Sequence, residues 1–307
     1  NNTGTLLKEY FEKNDTNFDF QGFLDAEKNR GYTNQGLIVL AAEKGIKEIY
    51  VSLPPDKMME ACQLMQTAET LCIRLKFIPD FSGNLEVHFT VSYMGEFPVI
   101  SLRKEPLSDI KNRSRKRAFD LVFSSLVILF VLSWLYPVIA ILIKLQSPGP
   151  VLFKQLRSGK NNESFWCYKF RSMRVNKESD TRQASKNDDR ITPIGHFLRK
   201  TSLDELPQFF NVFLGHMSVV GPRPHMLKHT EQYSGMINQF MVRHFMKPGI
   251  SGWAQVNGFR GETKHPRLME KRVEHDIWYM ENWLNMLDVK IIFMTAINMF
   301  KGEENAG

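Results

Sequence analysis

Apolar and polar positions follow three different rhythms along this chain. In the first hundred residues, short helical patterns alternate with short apolar runs. Leu6–Lys13 and Leu37–Gly45 have helical spacing, the second ended by Gly45, and Asp56–Thr70 has it again. Glu48–Leu53, followed by Pro54-Pro55, and Ile73–Pro79 are runs of strand length rich in β-branched and aromatic residues. This α-β-α-β order predicts a parallel sheet of Rossmann type, with residues 83–110 connecting it to a basic cluster. Asn1-Asn-Thr-Gly-Thr is all that could serve as a glycine loop, and no strand precedes it. The unit therefore reads as a regulatory or oligomerising module rather than a nucleotide site.

The second rhythm is a continuous apolar run. Phe119–Leu145 carries no charge between Asp120 and Lys144, enough for a membrane helix of about 20 residues. Basic residues flank both ends: Lys111, Arg113, Arg115, Lys116 and Arg117 before it, Lys144, Lys154, Arg157 and Lys160 after it. Positive charge marks the cytoplasmic side, so a simple crossing conflicts with this symmetry. Pro137 breaks one backbone hydrogen bond, and Ser133 or Tyr136 could satisfy the freed group. A helix bent there, entering and leaving by one face, keeps both flanks in the cytoplasm. An ordinary tilted span is the alternative. Two later stretches, Met236–Met246 and Leu284–Phe300, mix apolar and charged residues, as interfacial amphipathic helices or core helices would.

The third rhythm surrounds the candidate chemistry. Ser202-Leu-Asp-Glu-Leu-Pro-Gln208 sets Asp204 and Glu205 side by side before an apolar helical run. Arg190, Arg199 and Lys200 precede them, and Arg223 comes after them between two prolines. Adjacent acids among arginines suit work on a phosphate: one carboxylate attacks or binds metal while the arginines neutralise oxygens. Two local structures compete. Ser202 and Glu205 fit a capping box at a helix start, or Pro207 opens the helix and the acids lie in the loop before it. Lys169 and Arg171 alternate with Tyr168 and Phe170, which would place both charges on one strand face toward a phosphate or lipid headgroup.

Composition narrows the classes. With 307 residues there is room for two modest domains, and the formal net charge of +7 favours an anionic surface and anionic substrates. No zinc pattern, helix-turn-helix or RNA-binding motif points to nucleic acid. Three scattered cysteines, Cys62, Cys72 and Cys167, imply a reducing compartment. The histidines, including His225 and His229 four apart, lack a partner acid at metal spacing, and no P-loop supports ATP-driven chemistry.

Seven blocks then occur in order over residues 115–301: Phe119-Asp-Leu, Ser147-Pro-Gly-Pro-Val-Leu-Phe153, Tyr168-Lys-Phe-Arg-Ser-Met173 and Asp188-Asp-Arg-Ile-Thr-Pro-Ile-Gly195, then Leu198-Arg-Lys-Thr-Ser-Leu-Asp-Glu-Leu-Pro-Gln208, Met217-Ser-Val-Val-Gly-Pro-Arg-Pro224 and Lys247-Pro-Gly-Ile-Ser-Gly-Trp-Ala-Gln-Val-Asn-Gly258. Together they resemble the monotopic phosphoglycosyl transferases. The front unit resembles the Rossmann-like domain of that family's longer members, which also carry N-terminal transmembrane helices that do not occur in these 307 residues. The resemblance implies an α/β protein of three parts. Residues 1–110 would be a partial Rossmann-like accessory domain, and 111–146 a basic flank and a re-entrant membrane helix kinked at Pro137. Residues 147–307 would be a mostly helical (α+β) catalytic domain with interfacial helices.

It also implies a UDP-sugar donor, glucose or galactose, and undecaprenyl phosphate as acceptor at the cytoplasmic face of the bacterial inner membrane, among its lipids. Asp204 would be the nucleophile and Glu205 a ligand of Mg²⁺. Arg199, Arg223, Arg260, Lys169 and Arg171 would bind phosphate, Arg260 being displaced by Phe259 from the Asn-Gly-Arg spacing of smaller members. Asp188 and Arg190 are expected to be a structural pair. The accessory domain would pair two chains as a homodimer.

Overall fold

The computed structural model describes residues 9, 20–22, 33–53, 58–79, 90–95, 97–101, 103–175, 188–261 and 266–301. The chain divides into two compact units, residues 1–104 and 105–307. The helix expected over residues 6–13 lies, apart from Glu9, outside the described residues, as does the stretch 1–5.

In the first unit, helix α1 (Asn34–Glu43) starts where the Thr33 hydroxyl accepts from Gly36 N at 3.1 Å. It ends before Gly45, whose φ of +74° is easiest for glycine. Strands β1 (Glu48–Leu53) and β2 (Arg74–Pro79) flank helix α2 (Met58–Thr70) and pair in parallel, Glu48 against Arg74 through Leu53 against Pro79. Ala61, Leu64 and Ala68 of α2 pack on Ile38, Ile73, Leu75 and Phe77, the small alanines allowing close approach to the sheet.

The stretch expected to be a connection is part of the sheet. Strands β3 (Thr90–Met94) and β4 (Phe97–Ser101) form a hairpin with Gly95 in its turn at φ +61°. Strand β4 lies antiparallel to β2, giving the order β1-β2-β4-β3. The sheet is therefore mixed, not purely parallel. Two five-residue strands on either side of a tight turn carry little periodic signal, which is why the hairpin is hard to read in sequence.

The second unit opens with helix α3 (Ile110–Val127), started by Asp109, whose carboxylate accepts from Lys111 N at 2.8 Å. A π-helical turn, Ile128–Leu132, joins it to α4 (Ser133–Gln146), so that 37 residues form one helix long and apolar enough to enter a membrane. Pro137 lies inside α4 and has no N–H for the turn before it. The backbone widens one turn upstream, and side chains reach the carbonyls there: Ser133 Oγ donates to Leu129 O (2.6 Å) and Trp134 Nε1 to Phe130 O (2.9 Å). Neither Ser133 nor Tyr136 plays the expected part. The carbonyl that Pro137 leaves without its donor is that of Ser133, four residues back; the Ser133 hydroxyl is spent on Leu129 O, and the Tyr136 ring lies 5.4 Å from that of Phe170. Leu129, Phe130, Trp134, Ile141 and Leu145 are exposed, whereas Leu132, Ile139 and Ile143 are buried.

Polar groups on α3 anchor it. Strands β7 (Ser218–Val220) and β8 (Gly249–Ser251) pair in parallel. The buried Asp120 accepts from Ser218 Oγ at 2.9 Å and from Val219 N at 3.0 Å. Arg117 donates to Val212 O and Phe213 O (2.6 and 2.7 Å), among the last carbonyls of helix α6, Gln208–Leu214. A buried ion pair, Lys116 to Asp288 at 2.7 Å, ties α3 to the last helix, Asn285–Lys301, and Tyr279 OH and Trp283 Nε1 complete the partners of Asp288. That last helix buries Asp288 and Ile291 while exposing Met286, Val289 and Phe293, the amphipathic division expected of it. The segment Met236–Met246 is different. Its 3₁₀ helix, Phe240–Phe245, is buried throughout, Arg243 and His244 included, and is core rather than interface.

Removing the Asp120 carboxylate leaves the Val219 N–H buried without an acceptor. Asp120→Ala is expected to destabilise the second unit by about 1–3 kcal/mol, seen as a lower thermal unfolding midpoint of the detergent-purified protein.

Candidate active site

An antiparallel pair, β5 (Leu152–Ser158) and β6 (Ser164–Phe170), forms one wall, with Lys169 of β6 opposite Phe153. Helix α5 (Pro193–Lys200) forms another. Thr192 caps it by accepting from Gly195 N at 3.1 Å, and Pro193 stands at its first position. The chain leaves α5 through Ser202 at φ +56° and enters a single 3₁₀ turn, Leu203–Glu205, before α6 begins at Gln208. The two acids thus sit in the turn ahead of the helix, with Pro207 at its N-cap. The capping box does not form: Ser202 makes no side-chain cap, and its hydroxyl accepts from Arg260 Nη2 at 2.7 Å.

Asp204 and Glu205 are both buried, 8% and 7% exposed. Glu205 Oε1 accepts from Lys169 Nζ and from Arg223 Nη2, each at 2.7 Å, and Oε2 accepts from Arg223 Nη1 at 3.2 Å. Burial alone would raise the Glu205 pKa, but the Arg223 and Lys169 charges outweigh it and hold this carboxyl well below its usual range. Asp204 is the contrast. Its carboxylate has no hydrogen-bond donor among the described residues. Burial, reinforced by the Glu205 charge, pushes its pKa up to about 6 against the opposing pull of Lys169, Arg199 and Arg223. The same two environments that hold Glu205 ionised leave Asp204 the more basic carboxylate, and so the better nucleophile.

Lys169, Arg199, Arg223 and Arg260 converge on this pair. Arg199 lies in the last turn of α5, its guanidinium without a hydrogen-bond partner among the described residues, and its charge acts on Asp204. Arg260 acts on Glu205. Arg171 does not converge. Its guanidinium is buried and donates to Pro148 O and Ser147 O at 2.7 and 2.6 Å, where it closes the turn after α4. Both its donor-bearing arms are spent on carbonyls, so the shared strand face expected for Lys169 and Arg171 does not extend to a shared target. Asp188 and Arg190 form a bidentate pair, 2.8 and 2.6 Å, as a structural role requires.

Two positioning residues are not evident from sequence. Asn211, fully buried in α6, accepts from Tyr168 N at 2.9 Å and donates to Trp166 O at 2.7 Å, locking β6 to the helix that begins after Glu205. An asparagine in the otherwise apolar Phe209-Phe-Asn-Val-Phe213 is the one signal of it. Arg243 donates from Nη2 to Arg223 O at 2.9 Å and pairs with Asp276 at 2.7 Å, fixing the Gly-Pro-Arg-Pro loop from behind. Its Nη1 lies 3.0 Å from His225 Nδ1. Burial, then the charge of Arg243, lowers the pKa of His225 far below its usual value and that of His244 to about 3. These histidines are neutral packing partners of arginines. Among the described residues no group of three His, Cys, Asp or Glu is arranged for a metal.

Residues 111–302 match the family described as "Bacterial sugar transferase". The chain is 43% identical over 98% of its length to the UDP-glucose:undecaprenyl-phosphate glucose-1-phosphate transferase of Escherichia coli (strain K12), covering 66% of that protein. It is 45% identical over 92% of its length to the transferase of the same name from Klebsiella pneumoniae, covering 60%. It is also 35% identical over 76% of its length to the undecaprenyl-phosphate galactose phosphotransferase of Salmonella typhimurium, covering 50%. The chain thus spans half to two thirds of the length of these relatives.

A raised carboxyl pKa costs stability once the group ionises. Between the unfolded value of 3.8 and the folded value of about 6, the folded state holds more protons at Asp204, so its contribution to stability falls as pH rises through that window. Asp204→Asn is therefore expected to raise the unfolding free energy at pH 7.5 by up to about 3 kcal/mol. The gain is expected to vanish near pH 4, and thermal melts of both proteins across that range measure it.

Proposed function

The chain belongs to the bacterial sugar transferase family, and we propose that it transfers a hexose 1-phosphate from a UDP-sugar to undecaprenyl phosphate. The observation that carries this reading is a buried carboxylate without a donor, Asp204, beside a cluster of cations and a carboxylate held ionised. Asp204 attacks the β-phosphorus of the UDP-sugar. The bond to the bridging oxygen breaks, UMP leaves, and the sugar phosphate remains as an acyl phosphate on Asp204. An oxygen of undecaprenyl phosphate then attacks that phosphorus, the bond to Asp204 breaks, and undecaprenyl-diphospho-sugar forms. A carboxylate suits both halves, since it attacks as an anion and leaves as one.

Charge is the main obstacle, because an ionised Asp204 must meet an anionic diphosphate in a partly dry site. Lys169, Arg199, Arg223 and Arg260 supply the compensating charge, Arg223 from its fixed place on Glu205. The donor set also suits Mg²⁺. Glu205 stays ionised and is a hard oxygen ligand, available to the ion where a cation yields one of its oxygens. With no third acidic ligand arranged among the described residues, water and substrate phosphate would fill the other positions, the usual pattern for this ion. Bound there, Mg²⁺ would add to the neutralisation of phosphate charge.

The acceptor is a lipid, and the long helix is read as re-entrant in the inner membrane, with the catalytic unit on the cytoplasmic face. A straight helix from Arg117 to Ser147 would separate those residues by about 45 Å. Both are instead hydrogen-bonded to neighbouring parts of one unit: Arg117 to the end of α6, Ser147 to Arg171 just after β6, with Asn211 joining α6 to β6. Glucose is the favoured sugar, from the names of the more similar relatives. The β1-α2-β2 unit supports a Rossmann-like accessory domain, and the edge strand β3, exposing Val91 and Tyr93, is a candidate for pairing two chains.

UMP release from a panel of UDP-sugars, with Mg²⁺ and undecaprenyl phosphate, tests the transfer. Asp204→Asn is expected to reduce release by at least about 10³-fold while the protein stays folded, and retained activity would place the nucleophile elsewhere. Pro137→Ala is expected to straighten the helix toward a full span. A single cysteine introduced between residues 125 and 145 would then become reactive to periplasmic thiol reagents, and unchanged protection would count against a proline-dependent bend.

A further inference from the structure

Glu205 carries two cations at once, and they are held unequally. Arg223 grips both carboxylate oxygens, at 2.7 and 3.2 Å. Its backbone is fixed between Pro222 and Pro224, and its carbonyl is held by Arg243 at 2.9 Å. Lys169 makes one contact with the acid, 2.7 Å to Oε1, from a flexible four-carbon stem whose side chain is 21% exposed. The neighbourhood is already rich in positive charge: Lys169, Arg199, Arg223 and Arg260 against Asp204 and Glu205. Both Glu205 oxygens already accept from a cation, so a divalent ion reaches Oε1 only where Lys169 yields it.

We propose that Lys169 is a placeholder for the metal: its ammonium occupies Glu205 Oε1 until a divalent cation arrives, then moves to phosphate oxygens beside Asp204. The exchange rests on Glu205 being the metal ligand of the proposed transfer. It keeps Glu205 compensated when no ion is bound, which a buried carboxylate requires. It also delivers a cation to the reacting phosphate as the ion binds. Lys169 is placed for both positions, since its charge acts on Asp204 as well as on Glu205. Arg223 stays where it is, held at both ends.

Binding of Mn²⁺, followed by electron paramagnetic resonance without nucleotide or lipid, tests this apart from turnover. Lys169→Met keeps the length of the side chain and removes the competing charge. It should bind Mn²⁺ about tenfold tighter than the wild type, the equivalent of releasing one charge-assisted hydrogen bond. Lys169→Arg, a firmer grip on the carboxylate, should bind more weakly than the wild type. Glu205→Gln should lose the site. Thermal melts establish that each variant is folded, and the order Met, Lys, Arg serves even if one variant fails that check. If Glu205→Gln loses Mn²⁺ but Lys169→Met binds no tighter, the exchange is wrong and the metal reading stands. If Glu205→Gln binds Mn²⁺ as the wild type does, the metal is not on Glu205 and both readings fall, while UMP release still decides the transfer chemistry.

Discussion

The buried ion cluster of Lys169, Glu205 and Arg223 is the constraint on which the site depends. A carboxylate removed from water is tolerated only with its charge met and its oxygens donated to. Glu205 meets that condition with cations from two separate elements, strand β6 and the loop after β7. It is therefore satisfied only when the sheet, the 3₁₀ turn and the Gly-Pro-Arg-Pro loop have all docked. Asn211 and Arg243 hold two of those elements in register from behind. Asp204 next door feels the Lys169 and Arg223 charges but takes no hydrogen bond from them, and burial with the Glu205 charge outweighs their pull. With no donor of its own and an ionised neighbour, it is left the more basic of the pair, which is what a nucleophile acting on a phosphate needs.

The long apolar helix is part of the same construction. Its lipid-like face offers only side chains, but its polar positions, Lys116, Arg117 and Asp120, reach into the unit that carries the acids. Arg117 closes the far end of the short helix that starts just after Glu205, so the long apolar helix and the site share one rigid element. A widened turn ahead of Pro137 keeps the backbone carbonyls there occupied by Ser133 and Trp134, a necessity for any helix surrounded by hydrocarbon.

Much of the fold is legible because its signals are local. β1 and α2, β2 and the apolar run of 27 residues from Phe119 declare themselves through periodicity, length and turn residues within a few positions of each other. The β3–β4 hairpin is not legible: its strands are short, and its place in the sheet is decided by the neighbour β2 rather than by its own pattern. Met236–Met246 is ambiguous for a related reason. Whether an arginine in an apolar stretch faces lipid headgroups or a buried aspartate depends on the distant Asp276.

The candidate site divides in the same way. Sequence by itself determined the adjacent acids, the proline-fixed Arg223 and the long apolar helix, because these depend on residue type and near-neighbour spacing. Only the tertiary structure decided which acid is paired and which is bare, that Lys169 faces Glu205 while Arg171 turns to the carbonyls after α4, and that Ser202 partners Arg260 instead of capping a helix. Charge and hydrogen bonding act through space over a few ångströms, between residues that the chain keeps tens of positions apart.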